Sequence, residues 1–157
     1  MSTKGAPGTG ATLSIGTPGV GETFTAIGQV KNISWTQPKL QLEDATNLGS
    51  PTLGQATVKE YLPTVIEPGQ MTGQLIYLPG DAGQQAVNAA FLSGVVHDFK
   101  LQFPALAEFG QTTTGNLYAF SGFILEQPLP DGVDPQKILT SKITVQITTA
   151  VTVTVGS

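Results

Sequence analysis

Not one of the 157 residues is a cysteine or an arginine, and there is a single histidine. Without cysteine, neither a disulfide framework nor a cysteine-based metal site can form. The fold must be stable without covalent staples, in a reducing or an oxidising compartment alike. Charge is sparse: charged residues make up 11% of the chain, well below the usual ~25%. All seven basic residues are Lys, and the formal net charge is −4. Surfaces that grip nucleic acid cluster Lys and Arg to displace counterions. Here the sign is wrong and no cluster exists, so tight nucleic-acid binding is disfavoured. No run approaches the ~18 consecutive apolar residues of a membrane-spanning helix, and residues 1–8 lack the apolar centre of a signal peptide. The expectation is a soluble chain made in a cytoplasm, with no membrane partner.

Glycine (19) and proline (11) are frequent, and the commonest polar residues are Thr, Gln and Ser. These residues suit strands and turns better than helices, so a mostly β fold is expected. The length fits one domain, 1–157, able to bury a core. Residues 1–10 are small and rich in Gly and Pro, and read as a flexible N-terminal arm that orders on assembly. Residues 11–16 make a short strand. Residues 24–35 make the next strand region, with Gly28 marking a bulge or a close backbone approach. After Pro38, Leu40 and Leu42 alternate with Gln41 and Glu43, and Asp44-Ala45-Thr46 closes the unit.

Residues 47–70 are the least regular part, interrupted by Pro51, Pro63, Pro68, Gly49, Gly54 and Gly69. They also carry Leu48, Leu53, Val58, Tyr61, Leu62, Val65 and Ile66. A loop this long is uncommon in a compact domain and is usually functional, and its apolar side chains need a cover. Two readings stay open. One is a short internal hairpin packed on its own domain. The other is a loop whose seven apolar residues dock on a neighbouring subunit.

Residues 71–78 read as a strand with Met71, Gly73, Leu75 and Tyr77 on one face. Asp81 is a good N-cap, Gln84 stands at the capping-box position, and Gly94 suits the C-terminal cap. Val87, Ala90 and Phe91 recur at helical spacing. One helix over 82–93 follows, with Ala82, Ala86, Ala89 and Ala90 allowing close packing on a sheet. Residues 95–103 form a strand with Phe99, Leu101 and Phe103 on one face. Residues 117–126 are apolar on both faces, as in a buried central strand. Residues 127–135 form a rigid loop. In the last segment Ile143, Val145, Ile147, Val151, Val153 and Val155 share one parity, and Lys142, Thr144, Gln146, Thr148, Thr152 and Thr154 the other. This is one half-buried strand of about 45 Å, or two in series. An exposed Thr/Val strand is an aggregation hazard unless its edge is paired. With little charge available to blunt it, edge pairing between subunits is the physical argument for assembly.

Chemistry is hard to place. His97 falls on the parity of Phe99 and Leu101, which suits a hydrogen-bonded structural role. A catalytic triad would have to use it, yet no nucleophile-elbow motif is present. Glu43 and Asp44 are adjacent and so point to opposite faces of a strand. The Gly-rich stretch 16–21 lacks the Gly-Lys-Ser/Thr of a phosphate loop. No catalytic, metal-binding or cofactor-binding residue is expected, and no cofactor.

The ordered parts resemble the major tail tube protein of long, non-contractile-tailed phages of the lambda-like kind. The resemblance is carried by the small-residue arm ahead of Ile27-Gly28-Gln29-Val30-Lys31-Asn32-Ile33-Ser34, then Glu43-Asp44-Ala45-Thr46 and the long segment after it. Gly73-Gln74-Leu75 follows, with the helix after Asp81 and Phe99-Lys100-Leu101-Gln102-Phe103-Pro104. The strand Tyr118-Ala119-Phe120-Ser121-Gly122-Phe123-Ile124 and a closing Lys142-Ile143-Thr144-Val145-Gln146-Ile147-Thr148 complete the set. The resemblance implies an antiparallel β-sandwich or barrel with one flanking helix. It implies a structural virion protein of the tail, assembled in the bacterial host cytoplasm as hexameric rings stacked into a tube. Its partners would be other copies of itself and the tape-measure, tail-terminator and tail-tip proteins, with DNA passing through without specific binding. Segment 47–70 and the arm would contact adjacent subunits or rings. A type VI secretion-like tube protein is one rival. A β-sandwich module binding sugar or protein is another, and it would need an aromatic-lined pocket.

Overall fold

The computed structural model of the chain describes residues 10–18, 21–28 and 30–157. The N-terminal arm expected over residues 1–10 therefore lies outside the described residues, apart from Gly10. The strands are β1 (Thr12–Gly16), β2 (Phe24–Ala26), β3 (Val30–Thr36), β4 (Lys39–Asp44), β5 (Thr52–Leu53), β6 (Ala56–Thr57), β7 (Tyr61–Glu67) and β8 (Gln70–Ile76). After helix α1 (Ala82–Ser93) come β9 (His97–Gln102), β10 (Leu117–Ile124), β11 (Thr140–Ile147) and β12 (Thr152–Thr154). The fold is mostly antiparallel β with one α-helix, as the sequence predicts.

Eight strands form one sheet in the order β2-β1-β9-β10-β11-β8-β3, with β12 paired alongside β10. Laid flat, the seven strands of that path would be about 29 Å wide. Yet its two edge strands, β2 and β3, are joined by residues 27–29 alone, a span of at most ~14 Å. The sheet must therefore curl until its edges approach each other, giving a sandwich closed nearly to a barrel. The inward faces supply the core: Leu13 and Ile15 of β1, Met71 and Leu75 of β8, Phe99 and Leu101 of β9, Phe120 and Ile124 of β10, and Ile143, Val145 and Ile147 of β11. The Phe99 ring lies stacked at 5.5 Å from Phe120, and Trp35 meets Phe120 edge-on at 5.2 Å.

Helix α1 begins and ends where its caps predict. The Asp81 carboxylate accepts from the Gln84 backbone N–H at 3.0 Å, and Gly94 adopts φ 65° with its N–H on the Ala90 and Phe91 carbonyls. The other half of the capping box is replaced. The buried Gln84 side chain accepts from Leu78 N–H at 2.9 Å and donates to the carbonyls of Ile76 (2.9 Å) and Gly28 (3.2 Å). Asp81 also accepts from Gly28 N–H at 3.1 Å. Helix cap, β8 and the β2–β3 crossover are thus tied at one point, and Gly28 is the close approach anticipated: a Cβ there would lie 2.6 Å from Asp81 Oδ1.

Two expectations change in detail, and an open alternative is decided. The buried side of α1 is Gly83, Gln84, Val87 and Ala90; Ala82 and Ala89 are exposed. Gly83, not an alanine, permits the contact, because a Cβ there would overlap the Ala26 carbonyl. Strand β10 is central but buried on one face only, with Phe123 on the other face exposed. The final segment is two strands in series. β11 pairs β10 at Gly122–Ile124 and β12 pairs it at Leu117–Ala119, two residues out of register with β11. The ladder breaks after Thr148, whose N–H still meets the Ser121 carbonyl, because Ser121 N–H turns to the Thr149 hydroxyl.

Candidate functional site

The expected long loop is a projecting β-hairpin. Strand β4 pairs antiparallel with β7, Lys39 opposite Glu67 and Asp44 opposite Tyr61. Near the tip, β5 and β6 form a second, two-residue pairing. β3 runs into β4 through Gln37-Pro38, and β7 returns into β8 through Pro68-Gly69. One long ribbon is therefore interrupted by a bend where it leaves the domain. Gly69 makes the bend possible: it is buried, and a Cβ there would collide with the Thr36 carbonyl oxygen. Its own carbonyl accepts from Ile147 N–H at 3.1 Å, which ties the bend to β11.

The seven apolar residues singled out in the sequence all lie on this ribbon, and all are exposed, from Val58 at 43% to Leu48 at 109%. Leu40 and Leu42 of β4 join them at 55% and 56%. Sequence reasoning placed those two in a separate strand unit, although their alternation with Gln41 and Glu43 carried the signal. Both faces of β7 carry apolar residues: a register shift between Leu40 and Leu42 sets Ile66, Pro63 and Tyr61 opposite Leu40, Leu42 and Asp44 on one face, and Leu62 opposite Glu43 on the other. Neither open alternative describes this geometry in full. The element is a hairpin, as the first reading had it, but every residue of β4 and β7 is exposed, so it does not pack on its own domain.

Polar bonds within the ribbon hold its shape. Asp44 accepts from the Thr46 hydroxyl (2.5 Å) and N–H (2.9 Å), and these bonds hold its carboxyl below the usual carboxylate range. Glu60 N–H donates to the Thr46 hydroxyl at 2.9 Å, and Ala45 N–H to the Glu60 carbonyl at 2.8 Å. The buried Ser50 hydroxyl donates to Glu60 Oε2 at 2.8 Å and accepts from Asn47 N–H. An isolated two-stranded hairpin is marginal in water. This one is pre-shaped by a polar network while its apolar side chains face outward, an arrangement that lowers the ordering cost of docking.

Chemistry elsewhere is thin. His97 donates through Nδ1 to the Val95 carbonyl at 2.8 Å. Asp98 accepts a short bond from the Ser121 hydroxyl, and Lys100 lies 3.9 Å over the Phe24 ring. Among the described residues no three His, Cys, Asp or Glu side chains converge as a metal site, and no helix is long and apolar enough to cross a membrane.

Comparison with known proteins agrees with this architecture. Among solved structures, the fold resembles the tail of an empty gene transfer agent particle refined with C6 symmetry. The TM-score is 0.66 at 16% identity, over 96% of this chain and 99% of that one. It also resembles the tube-terminating cap of the anti-feeding prophage (TM-score 0.67, 11% identity, 99% and 95% coverage). A sheath–tube complex of an extracellular contractile injection system is similar as well (TM-score 0.65, 11% identity, 95% and 90% coverage). At such identities the likeness is one of fold. No curated protein sequence matches the chain. Residues 8–155, nearly the whole chain, match the family model described as lambda phage tail tube protein, and the chain belongs to that family.

Proposed function

We propose that the protein is a non-catalytic structural subunit that polymerises as stacked hexameric rings, forming the tail tube through which DNA passes to the host. The observation that carries this reading is the projecting hairpin, apolar on both faces and uncovered in the single chain. Contiguous apolar surface of this kind marks an interaction site, and a preformed ribbon makes a suitable anchor. Leu48, Leu53, Val58, Tyr61, Leu62, Val65 and Ile66 are assigned to contact with an adjacent subunit. Six-fold rings are supported by the C6 symmetry of the gene transfer agent tail. Structures of a tube-terminating cap and a sheath–tube terminator share the fold. They support a terminator as an end partner; tape-measure and tail-tip proteins as further partners, and assembly in the host cytoplasm, follow from the tube reading.

Passage of DNA without specific binding fits the charge. Six copies of a −4 chain carry formally about −24 per ring, a field that keeps phosphates from settling on the wall.

Electron microscopy of the purified protein tests the reading directly. Wild-type protein is expected to form rings or tubes at high concentration. The double variant Leu62→Asp/Ile66→Asp is expected to stay monomeric with its melting temperature unchanged within about 2 °C, because exposed side chains contribute little to the fold. A wild-type chain that stays monomeric under all conditions and is missing from tails would refute the proposal.

A further inference from the structure

The core is not covered at every point. Where the ribbon leaves the domain, Trp35, Leu101, Phe103, Tyr118, Val151 and Val153 line an open trough of about 350 Å³. Gln37 and Pro38 form its lip. The register explains the opening. Tyr118 lies opposite Val153 on β12 and opposite Leu101 on β9, so one face of β9, β10 and β12 continues as one apolar floor. β3, the sheet's edge strand, pairs only with β8. Among the described residues, the trough these side chains line stands open on the far side of the floor.

The chain therefore carries two unsatisfied apolar surfaces, the ribbon and the trough. It cannot join them within itself. The ribbon begins at the trough's own lip and runs outward, with both of its long strands exposed throughout. A convex apolar element and a concave apolar site at different places on one molecule make a heterologous contact, which propagates as a ring or a helix instead of closing as a dimer.

Resting on the tube reading above, we propose that the trough receives the β4–β7 ribbon of a second copy, with Leu62 or Ile66 seated between Trp35, Tyr118 and Val153. The residues ahead of Gly10 are the competing occupant from the same chain, since Ala11 and Leu13 line the neighbouring cavity that shares Trp35, Leu101 and Phe103. Met1 is their one large apolar side chain, against four Leu, Ile, Val or Tyr residues on β7 alone. The trough lining carries no charge, which matches the apolar face of the ribbon and not the polar, Lys4-containing arm.

The absence of cysteine allows a direct test. Leu62→Cys and Val153→Cys are made as separate variants, mixed in equal amounts, assembled, oxidised mildly and run on a non-reducing gel. A shift from monomer to disulfide-linked dimer in the mixture, absent from either variant alone and from a mixture of Leu62→Cys with Ala89→Cys on the exposed side of α1, is the expected result. Tubes that form without the Leu62–Val153 cross-link, and equally without it for Ile66→Cys in place of Leu62→Cys, overturn the trough assignment while leaving the tube reading intact. A Thr3→Cys/Val153→Cys chain that closes as an intramolecular disulfide in tubes also overturns it, in favour of the arm. If the wild type forms no tubes, both proposals fall together.

Discussion

At the scale of single residues, Gln84 does the work of several. It stands where a capping box would send it back to Asp81, yet it bonds the backbone of Leu78, Ile76 and Gly28 from a buried position. Leucine has nearly the same volume but would leave one N–H and two carbonyls without partners, each a penalty of about 1–3 kcal/mol when buried. Gln84→Leu is expected to destabilise the monomer by about 3 kcal/mol, measured as a lower urea midpoint with an unchanged slope. An unchanged midpoint would mean that water replaces the side chain. Glu22 gives a pH-dependent prediction. Burial raises its carboxyl above the ordinary range, helped by the charge of Asp98 and a hydrogen bond with it, against the opposing pull of Lys100 and His97. The protonated form therefore suits the fold better. Its contribution is complete below the unfolded-state value and is lost as pH rises through the folded one. Glu22→Gln should raise the melting temperature at pH 7 by about 1–2 °C, a small gain because the group is largely solvated. The gain should vanish below about pH 4, and a gain that persists there would point to a cause other than ionisation.

At the scale of elements, the ribbon and the sheet should differ in how readily they open. Strands β4 and β7 bury nothing, whereas β8 and β11 carry Met71, Leu75, Ile143 and Val145 at 0–1% exposure. In hydrogen exchange, amides of the β4–β7 ladder in the monomer should show protection factors below about 100, while those of β8 and β11 approach the limit set by global unfolding. Assembly should raise the ribbon values at least about tenfold; if they stay as in the monomer, the ribbon is not the contact element. This contrast also bears on what the sequence could reveal. Helix α1 was readable to the residue because both caps and its period are local signals. The strands around Phe99 and Ile143 were readable because one face is buried and the alternation is strict. The ribbon was obscured because Pro63 sits inside β7 and an element exposed on both sides has no alternation to display. Its seven apolar residues could be singled out as needing a cover, but their arrangement on paired strands could not. The trough was invisible, since Trp35, Phe103, Tyr118 and Val153 meet only after the sheet has curled.

At the scale of the whole molecule, the charge balance and the apolar contacts make opposite demands on assembly. Subunits of net charge −4 repel one another as a ring closes, and the contacts proposed to hold them are apolar and indifferent to counterions. Raising NaCl from about 50 mM to about 500 mM shortens the screening length from ~14 Å to ~4 Å. The repulsion is then confined to near contacts, and the apolar term is unchanged or strengthened. The critical concentration for polymerisation should therefore fall, by about two- to fivefold, as measured by sedimentation of tubes across a salt series. Sulfate at equal ionic strength should lower it further, because it also strengthens apolar burial. The reverse trend, tubes that dissolve as salt rises, would show that ion pairs across the interface outweigh both the net repulsion and the ribbon's apolar surface. In that case the exposed Lys39 and Glu67 at the base of the ribbon and Glu43 farther out along it, and not Leu62 and Ile66, would be its working residues.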